Sequence, residues 1–524
     1  MEEVNNSGYP NPFFKRVSID LRLTDAPQGQ EQDIITSMLY SPNWNGQIME
    51  RWRQEAADQQ LGLPIDERLT YTMIDYVLSE LEGYSRLTDP ETGIQYACDD
   101  YVFCSHRLLS EGVVKSLRTE SSRLENVPEN EKDWHPRSNQ QVLDRTDDPK
   151  MLRPLSPPSQ NPDDVFTSMR FAWLPSDFLV SEDGVAHLIS PYINNLHPSN
   201  QELYNTLVNI FGSFVPMWER VLGAVASKQR MRCTGNDKTK TKGRNGRIQN
   251  VSCIWKHIGR GEIPYDPQAV NNHYAEYPGR TWQQRRRAWV LSWYPLNLPE
   301  APERYQGELE TSFRRVNLRG MTLQCIIKLV NIHLTPENPK YSGGSWHVEG
   351  MLNERIVATG LYKISLNRAW CSAARSPTAP QYHLQYDNDC MQILYDIDEL
   401  VAPNIIVFLT INTHDLNSED DLIQERGNVV TYEGLALAFP NIYQHRVSPF
   451  ELLDPTNPGH RKIVAFFLVD PNHRIPSATN VPPQQEDWIT KAISTSSSEG
   501  SVFARLPVEL EEMVIDKVEG LMNR

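Results

Sequence analysis

The sequence predicts an α+β protein in which a mostly helical N-terminal region precedes an antiparallel sandwich or barrel, with a further helix after it. Two patterns lead to this fold class. Apolar residues recur at helical spacing before residue 225, whereas short β-branched and aromatic runs bounded by Pro and Gly dominate after residue 279. Because no long helices alternate with these runs, an antiparallel arrangement is favoured over a parallel sheet.

The N-terminal region, residues 1–227, contains two apolar stripes that predict helices over 69–87 and 203–222. Between them, the polar and Pro-rich stretch 126–164 is typical of a surface loop. Eight Lys or Arg follow between residues 228 and 247, without apolar periodicity. We interpret 228–250 as a basic flexible loop, in preference to an anion-binding patch or nuclear address.

Residues 251–490 form the predicted β-rich core. The strand candidates are the β-branched and aromatic runs 288–293, 323–334, 356–361, 391–395, 405–411, 428–432, 435–439 and 463–469. A linker then leads to a last amphipathic stretch, 507–522, within the C-terminal segment 491–524. Its apolar residues share one helical face, which predicts a C-terminal helix packed on the sheet or on an oligomer partner.

The composition and net charge of the chain argue against several classes of function. The chain has 524 residues and a net charge of −16, which argues against binding to nucleic acid or to an anionic membrane surface. Its seven Cys include no Cys-x-x-Cys pair, so neither a disulfide framework nor a thiolate zinc site is indicated. No segment has the features of a signal peptide or a membrane span. We therefore expect a cytoplasmic protein with reduced thiols.

The triplet His347-Val348-Glu349 is the first candidate for chemistry. In an extended chain, residues two apart share a face, so the imidazole and the carboxylate would point the same way. Two ligands of a non-haem Fe(II) facial triad can be presented in this manner, with a distant His as the third. An isolated triplet of this kind also arises by chance, so the prediction depends on the rest of the chain.

A second cluster supplies the missing groups. His445 begins a turn that leads, after Pro449 and Gly459, into an apolar run headed by Arg461. Iron/2-oxoglutarate oxygenases require a distal His and a cation at the start of the following strand. Arg suits the second role because its planar guanidinium binds a carboxylate through two hydrogen bonds. The two clusters together predict one site.

Four motifs carry a resemblance to a known family: 343–354, 439–450, 459–463 and 481–485. The ending, His445-x-Val-x-Pro followed by Gly459-x-Arg461, is similar to that of prolyl-hydroxylase-like iron/2-oxoglutarate oxygenases. The set as a whole resembles a large fungal family known only as a domain of unknown function, DUF4246. The resemblance covers most of the chain and implies a double-stranded β-helix (jelly-roll) core, without implying a substrate.

The constellation predicts the roles of individual residues. His347, Glu349 and His445 would bind Fe(II) on one side and leave the other side for 2-oxoglutarate and O₂. Arg461 would bind the remote carboxylate of 2-oxoglutarate, with Lys328 and Asn331 on the preceding strand as weaker candidates. Trp346 and Tyr443 are close to the ligands in the sequence. Their side chains would line the pocket or pack under the sheet.

Two segments depart from the family pattern, 145–155 and 363–418, so the sheet between the two clusters is the least certain part of the prediction. The predicted function is that of an Fe(II)/2-oxoglutarate-dependent oxygenase that oxidises a C–H bond of an unidentified small molecule. Two other functions stay open. One is a catalytically silent jelly roll that acts as a binding or scaffold protein. The other is a cupin-type metalloenzyme that does not use 2-oxoglutarate, against which Arg461 argues because such chemistry needs no cation at that position. The sequence does not indicate an oligomeric state.

Overall fold

The computed structural model describes residues 46–62, 68–97, 101–129, 138–144, 172–226, 316–366, 381–387, 423–452 and 454–485, with residues 9, 132, 134–135, 167–168, 305–307, 488 and 510. Its α-helices are α1 (Gly46–Gln59), α2 (Tyr71–Arg86), α3 (Glu111–Glu125) and α4 (Gln201–Ala226). Polar side chains fix helix starts: the hydroxyl of Ser110 accepts a hydrogen bond from the backbone N–H of Val113. Within the described part of the chain, no helix combines the length and apolar character needed to cross a membrane.

Fourteen strands form three sheets in the described residues. In chain order they are β1 (Gln95–Tyr96), β2 (Phe103–Ser105), β3 (Val142–Asp144), β4 (Ser176–Val180), β5 (Ala186–Leu188), β6 (Thr322–Leu334), β7 (Lys340–Tyr341), β8 (Ile356–Leu366), β9 (Gln381–Asp387), β10 (Ile423–Val430), β11 (Ala436–Pro440), β12 (Gln444–Val447), β13 (Phe450–Glu451) and β14 (Gly459–Val469).

The large sheet has nine strands, in the order β1-β2-β11-β8-β14-β6-β4-β5, with β3 also paired to β6. A three-stranded sheet has the order β10-β9-β12, and β13 pairs with β7. All of these pairings are antiparallel. The long strands β6, β8 and β14 form the centre of the large sheet, and their β-branched and aromatic residues suit that place.

Helix α4 covers one face of the large sheet, which we call the helix face. Phe214 and Trp218 of α4 pack against Phe466 of β14, with ring centroids 5.6 Å and 6.5 Å apart. Gly360 of β8 allows the close approach, since a Cβ atom there would lie 2.8 Å from the Phe214 ring. A second apolar cluster covers the opposite face, which we call the inner face, and includes Ile463 and Phe467 of the same strand.

Most of the predicted elements that fall on described residues are present. The helices predicted at 69–87 and 203–222 correspond to α2 and α4. The strands predicted at 323–334, 356–361, 435–439 and 463–469 correspond to β6, β8, β11 and β14, and β10 overlaps the one predicted at 428–432. The strands at 288–293, 391–395 and 405–411, the basic loop 228–250 and all of the C-terminal helix except Leu510 lie outside the described residues.

Three expectations need correction. The N-terminal region contributes β1 to β5 as well as helices, so the large sheet takes strands from both sides of residue 227. Strand β3 lies inside the predicted surface loop 126–164, because Val142–Asp144 pair with β6. The class is α+β, as predicted, but the described strands form open sheets and not a closed jelly-roll barrel.

Candidate metal centre

Two chain segments pair to form a short ladder that leads to the predicted ligands. The ladder begins where β7 pairs with β13, and it continues where the N–H of Gly344 donates to the carbonyl of Val447, 3.0 Å away. It ends at His347 and His445, whose backbones exchange hydrogen bonds of 3.1 and 2.9 Å. Directly opposite residues of an antiparallel pair share a face, so both imidazoles lie on the same side.

Gly343 makes this close pairing possible. Its φ angle is +91°, which side chains disfavour. A Cβ atom there would also lie 3.1 Å from Pro449 and from the carbonyl oxygen of Val447. On the far side of the ladder, β12 pairs with β9, with His445 opposite Leu384. Residues 381–387 therefore fold as sheet, although they belong to the segment that departs from the family pattern.

The three predicted ligands lie close together. Nε2 of His445 is 3.1 Å from Oε1 of Glu349, and Nε2 of His347 is 3.7 Å from the same oxygen. All three ligand atoms lie within 4.8 Å of one another. Two ligand atoms bound to a metal at about 2.1 Å and at a right angle lie roughly 3 Å apart. The donor set and the two distances to the Glu349 oxygen therefore fit a divalent metal bound by two imidazoles and one carboxylate.

The hydrogen bonds and charge interactions of these three residues favour binding of a metal by them. Nδ1 of His347 lies 2.8 Å from the carbonyl oxygen of Ser345, to which an N–H there would donate, leaving Nε2 for a metal. Burial opposes a charge on His347, but its hydrogen bond and charge interaction with Glu349 raise the pKa of the imidazole. Burial would raise the pKa of Glu349, yet hydrogen bonds from both His hold it well below its usual range. Burial lowers the pKa of His445.

The exposures of the two His side chains differ. The side chain of His347 is 46% exposed, whereas that of His445 is 3% exposed. The ring of His445 also packs edge-on against Phe439, with centroids 5.0 Å apart. The cluster is therefore open to solvent on the side of His347.

Asn441 fixes the backbone of Glu349. Its Oδ1 accepts the N–H of Glu349 at 2.9 Å, and its Nδ2 donates to the carbonyls of Glu349 and Ile356 at 2.8 and 3.1 Å. The side chain is fully buried. No sequence pattern indicates this role for Asn441, although it lies within the motif at 439–450.

The segment after Glu349 is held by a second carboxylate. Glu354 accepts the backbone N–H of Met351 at 2.6 Å and that of Trp173 at 3.0 Å. The Trp173 ring in turn stacks on Phe467 of the inner face, with centroids 5.5 Å apart. The N-terminal region therefore supplies part of the wall beside the candidate metal centre.

Arg461 lies on the inner face, deep in the protein. It is fully buried, its Nη2 donates to the hydroxyl of Thr431 at 3.2 Å, and its guanidinium lies 5.7 Å from the ring centroid of Phe450. Lys328 lies on the same face, since it pairs with Ala465 in the register of β6 and β14. Its ammonium is 5.7 Å from the Trp173 ring centroid, and its charge is among the influences that lower the pKa of His347.

Asn331 is the predicted site residue that the structure does not bring to the cluster. It pairs with Lys462, which forms a 2.6 Å ion pair with Glu125 of α3. Since Arg461 and Lys462 are adjacent in β14, they point to opposite faces, and Asn331 lies on the helix face. Its amide has no hydrogen-bond partner among the described residues. The geometry does not support a role for Asn331 in cofactor binding.

Trp346 and Tyr443 pack beside the ligands. The Trp346 ring lies 4.7 Å from the guanidinium of Arg446, and these two residues flank the His pair on the ladder. Neighbouring positions alternate in direction, so this contact lies on the side of the ladder away from the imidazoles. Tyr443 is buried and packs against Tyr101. Both residues therefore stabilise the strands that hold the ligands.

Residues 71–492 match a family model described as Protein of unknown function (DUF4246). The chain belongs to this family. The match includes all three candidate ligands, Asn441 and Arg461, so the centre lies inside the DUF4246 domain. Among curated proteins, none matches this chain.

Two solved structures share limited similarity with this DUF4246 protein. IDO from Bacillus thuringiensis aligns over 29% of this chain and 47% of its own, or about half its length, with 11% identity and a TM-score of 0.17. The Fe(II)/(alpha)ketoglutarate-dependent dioxygenase TqaL aligns over 69% of this chain and 75% of its own, with 10% identity and a TM-score of 0.26. At such scores neither likeness carries an argument about function.

Proposed function

We propose that this DUF4246 protein is an Fe(II)/2-oxoglutarate-dependent oxygenase that oxidises a C–H bond of a small molecule. The observation that carries the proposal is the convergence of His347, Glu349 and His445, with ligand atoms within 4.8 Å of one another. Two neutral imidazoles and one carboxylate on one side of a metal form the donor set of non-haem Fe(II) oxygenases. The three sheets are then an open, distorted jelly roll of the prolyl-hydroxylase-like type.

Each residue has a defined task in this proposal. His347, Glu349 and His445 hold the iron, and Asn441 keeps Glu349 in place through its backbone. When bound, iron with 2-oxoglutarate and O₂ supplies the oxidative decarboxylation that leads to C–H oxidation. The exposed edge of His347 marks the side from which the substrate reaches the centre.

Arg461 binds the remote carboxylate of 2-oxoglutarate. Its guanidinium is fully buried on the inner face, where a planar cation pairs with a carboxylate through two hydrogen bonds. Lys328 contributes a second positive charge nearer to His347. Asn331 has no part in the proposal because it lies on the helix face. The net charge of −16 further supports a small-molecule substrate over a polyanion.

An anaerobic titration tests the proposal. Fe(II) and 2-oxoglutarate are added to the full chain, and the weak visible charge-transfer band of the ternary complex is recorded. We expect the band in wild type and its loss in Arg461→Met at the same 2-oxoglutarate concentration. A buried Arg replaced by an apolar residue of similar volume usually leaves the fold intact, so the loss would report binding. The exposed Arg319→Met is the matched control and should keep the band.

The absence of both metal binding and the band in wild type would contradict the proposal and favour the scaffold function. Metal binding without any response to 2-oxoglutarate would contradict it in a different way, because it would indicate a metalloenzyme with another co-substrate.

A further inference from the structure

Lys328 and Trp173 lie beside the open side of the candidate centre. Both side chains are half-buried, and the neighbouring His347 side chain is 46% exposed. The ammonium of Lys328 lies 5.7 Å from the centroid of the Trp173 ring, and its charge reaches His347. A cation next to an indole ring offers a charge and an apolar surface to one small molecule. The proposed function assigns a ligand to neither residue.

Lys328 is too far from Arg461 to share the carboxylate that Arg461 binds. Arg461 pairs with Ile332, which is four positions from Lys328 along β6, a separation of roughly 13 Å. The charged ends also lie near different rings, that of Lys328 near Trp173 and that of Arg461 near Phe450. A five-carbon diacid, whose C–C bonds are about 1.5 Å long, is less than half as long as this separation. An anion that contacts Lys328 is therefore a different group from the remote carboxylate at Arg461.

The position of Trp173 is tied to that of the candidate ligand Glu349. The buried carboxylate of Glu354 accepts the N–H of Trp173 at 3.0 Å and that of Met351 at 2.6 Å. Met351 is two residues beyond Glu349. The Trp173 ring stacks on Phe467 with an interplanar angle of 13°, which fixes its orientation. One carboxylate therefore sets the distance between the indole and the segment that carries the ligand.

A second bridge holds the segment that carries Trp173. The amide of Asn353 accepts the N–H of Ser168 at 2.7 Å and donates to the carbonyl of the same residue at 3.1 Å. Asn353 and Glu354 are consecutive, so the turn after Glu349 binds the N-terminal segment at residues 168 and 173. Side chains supported by packing and hydrogen bonds in this manner are preorganised for a ligand. A small molecule bound at the centre would meet Trp173 in a fixed position.

An anion is the ligand that the local charges favour. The ammonium of Lys328 is a strongly hydrated point charge, and a carboxylate can replace the water that it loses on partial burial. A bound metal adds positive charge nearby. We propose that Lys328 and Trp173 form a subsite for the primary substrate, an organic acid whose carboxylate pairs with the ammonium and whose apolar body lies along the indole. The inference rests on the proposed function and extends it by naming the substrate class.

Two probes of equal size and different charge test the subsite. 3-Phenylpropionate carries a carboxylate, and 3-phenylpropionamide carries a neutral amide in its place. The full chain is loaded with Mn(II) and 2-oxoglutarate, and the metal-induced relaxation of the ring protons of each probe gives its Kd. In wild type we expect the acid to bind more tightly than the amide. Lys328→Met should raise the Kd of the acid by roughly 10-fold, the effect of one lost charge-assisted hydrogen bond, and leave that of the amide unchanged.

Three further variants separate the effect of charge from that of structure. Lys328→Arg keeps the charge and should restore much of the preference for the acid. Trp173→Leu should raise the Kd of both probes, because each loses apolar contact. The matched control Lys340→Met removes a cation whose side chain is 76% exposed, and it should change neither value. Circular dichroism and the Kd of 2-oxoglutarate should both match wild type in Lys328→Met, which reports the integrity of the fold and of the metal centre.

The results that would overturn the inference differ from those that would overturn the proposed function. Equal Kd values for the two probes in wild type, or no metal-induced relaxation of either, would refute the subsite and leave the proposed function standing when 2-oxoglutarate binds. An equal rise in both Kd values in Lys328→Met would show a merely structural role for Lys328. Weaker binding of 2-oxoglutarate by this variant would place Lys328 in the co-substrate site instead. No binding of Mn(II) or of 2-oxoglutarate by wild type would refute the proposed function itself, and the subsite with it.

Discussion

The two faces of the nine-stranded sheet are built from the same strands but differ in chemistry. On the helix face of β14, Phe466 packs against aromatic rings of α4. On the inner face of the same strand, Arg461 is fully buried and shares its side of the sheet with Lys328. Strand alternation places the aromatic rings of one face one residue away from the buried Arg461 of the other, the face on which Lys328 is half-buried. We infer that the helix face supplies stability and the inner face supplies chemistry.

The largest expected effect is on the helix face. Trp218→Ala removes a fully buried ring and should lower the free energy of unfolding by about 3–5 kcal/mol, because α4 cannot close fully over the space that remains. Urea denaturation followed by circular dichroism measures this loss. The exposed Asn205→Ala in the same helix is the control and should change stability by less than about 0.5 kcal/mol. Loss of metal affinity in folded Trp218→Ala protein would show that the two faces are not independent.

The second-largest effect is on metal binding at the candidate centre, and the free energy of unfolding should stay nearly unchanged. His347→Ala should weaken Fe(II) or Mn(II) binding by more than about 100-fold, since even residues that only orient ligands change affinity by 10- to 100-fold. Because 46% of the His347 side chain is exposed, its removal creates little cavity. Anaerobic calorimetry gives the affinity, and the exposed His187→Ala is the control. Unchanged metal affinity in His347→Ala would exclude the proposed centre.

Asn441→Ala should weaken metal binding less than His347→Ala does. The amide makes three hydrogen bonds to the backbones of Glu349 and Ile356, so its loss should weaken metal binding by about 10- to 100-fold and also reduce stability. Asn353→Ala is the matched control, because Asn353 bonds the backbone of Ser168 instead. Equal metal affinities for the two variants would contradict the assignment of Asn441.

The last effect is a pH dependence that arises on the helix face. His333 and His460 are register partners, and burial, reinforced by the charge of Lys462, lowers the pKa of each to about 4. The unfolded chain binds protons near pH 6.5. Between about pH 6.5 and 4 it therefore binds more protons than the folded chain, and stability should fall as pH falls through this range.

Thermal unfolding from pH 7 to pH 4 measures this effect. The double replacement His333→Asn with His460→Asn should flatten the profile, while the exposed His187→Asn should not. Other charged groups also act on the pair: Lys132 and Glu129 on His333, and Lys363 and Glu433 on His460. A profile as steep in the double variant as in wild type would contradict the assignment.

The sequence contained enough information to single out the three candidate ligands, which the structure brings together, and the central strands. His347 and Glu349 belong to one triplet, and the turn after His445 with Arg461 beyond it forms a second recognisable pattern. Strong periodicity likewise located α4 and β14. The face of a strand was also readable: Lys328 and Asn331 are three residues apart in one strand, an odd spacing that places them on opposite faces. That signal would have removed Asn331 from the candidates.

Other features depend on contacts between distant residues. Asn441 bonds Glu349 from 92 residues away, and Thr431 reaches Arg461 from 30 residues away. Neither residue type in isolation indicates such a partner. Four of the five strands of the N-terminal region, β1, β2, β3 and β5, were missed because they have only two or three residues each, which is too short for a period of two to appear.

The ladder between the two ligand segments has a consequence for ion selectivity. The backbones of His347 and His445 are hydrogen-bonded to each other, and the Asn441 side chain fixes Glu349. These residues therefore lose their conformational entropy on folding, before an ion binds. The site is preorganised for the ion. A site of fixed span discriminates by ionic radius and coordination angle, whereas a flexible one adapts to many ions. The centre should accept first-row divalent ions and reject larger ones such as Ca²⁺, which needs more oxygen ligands at longer distances.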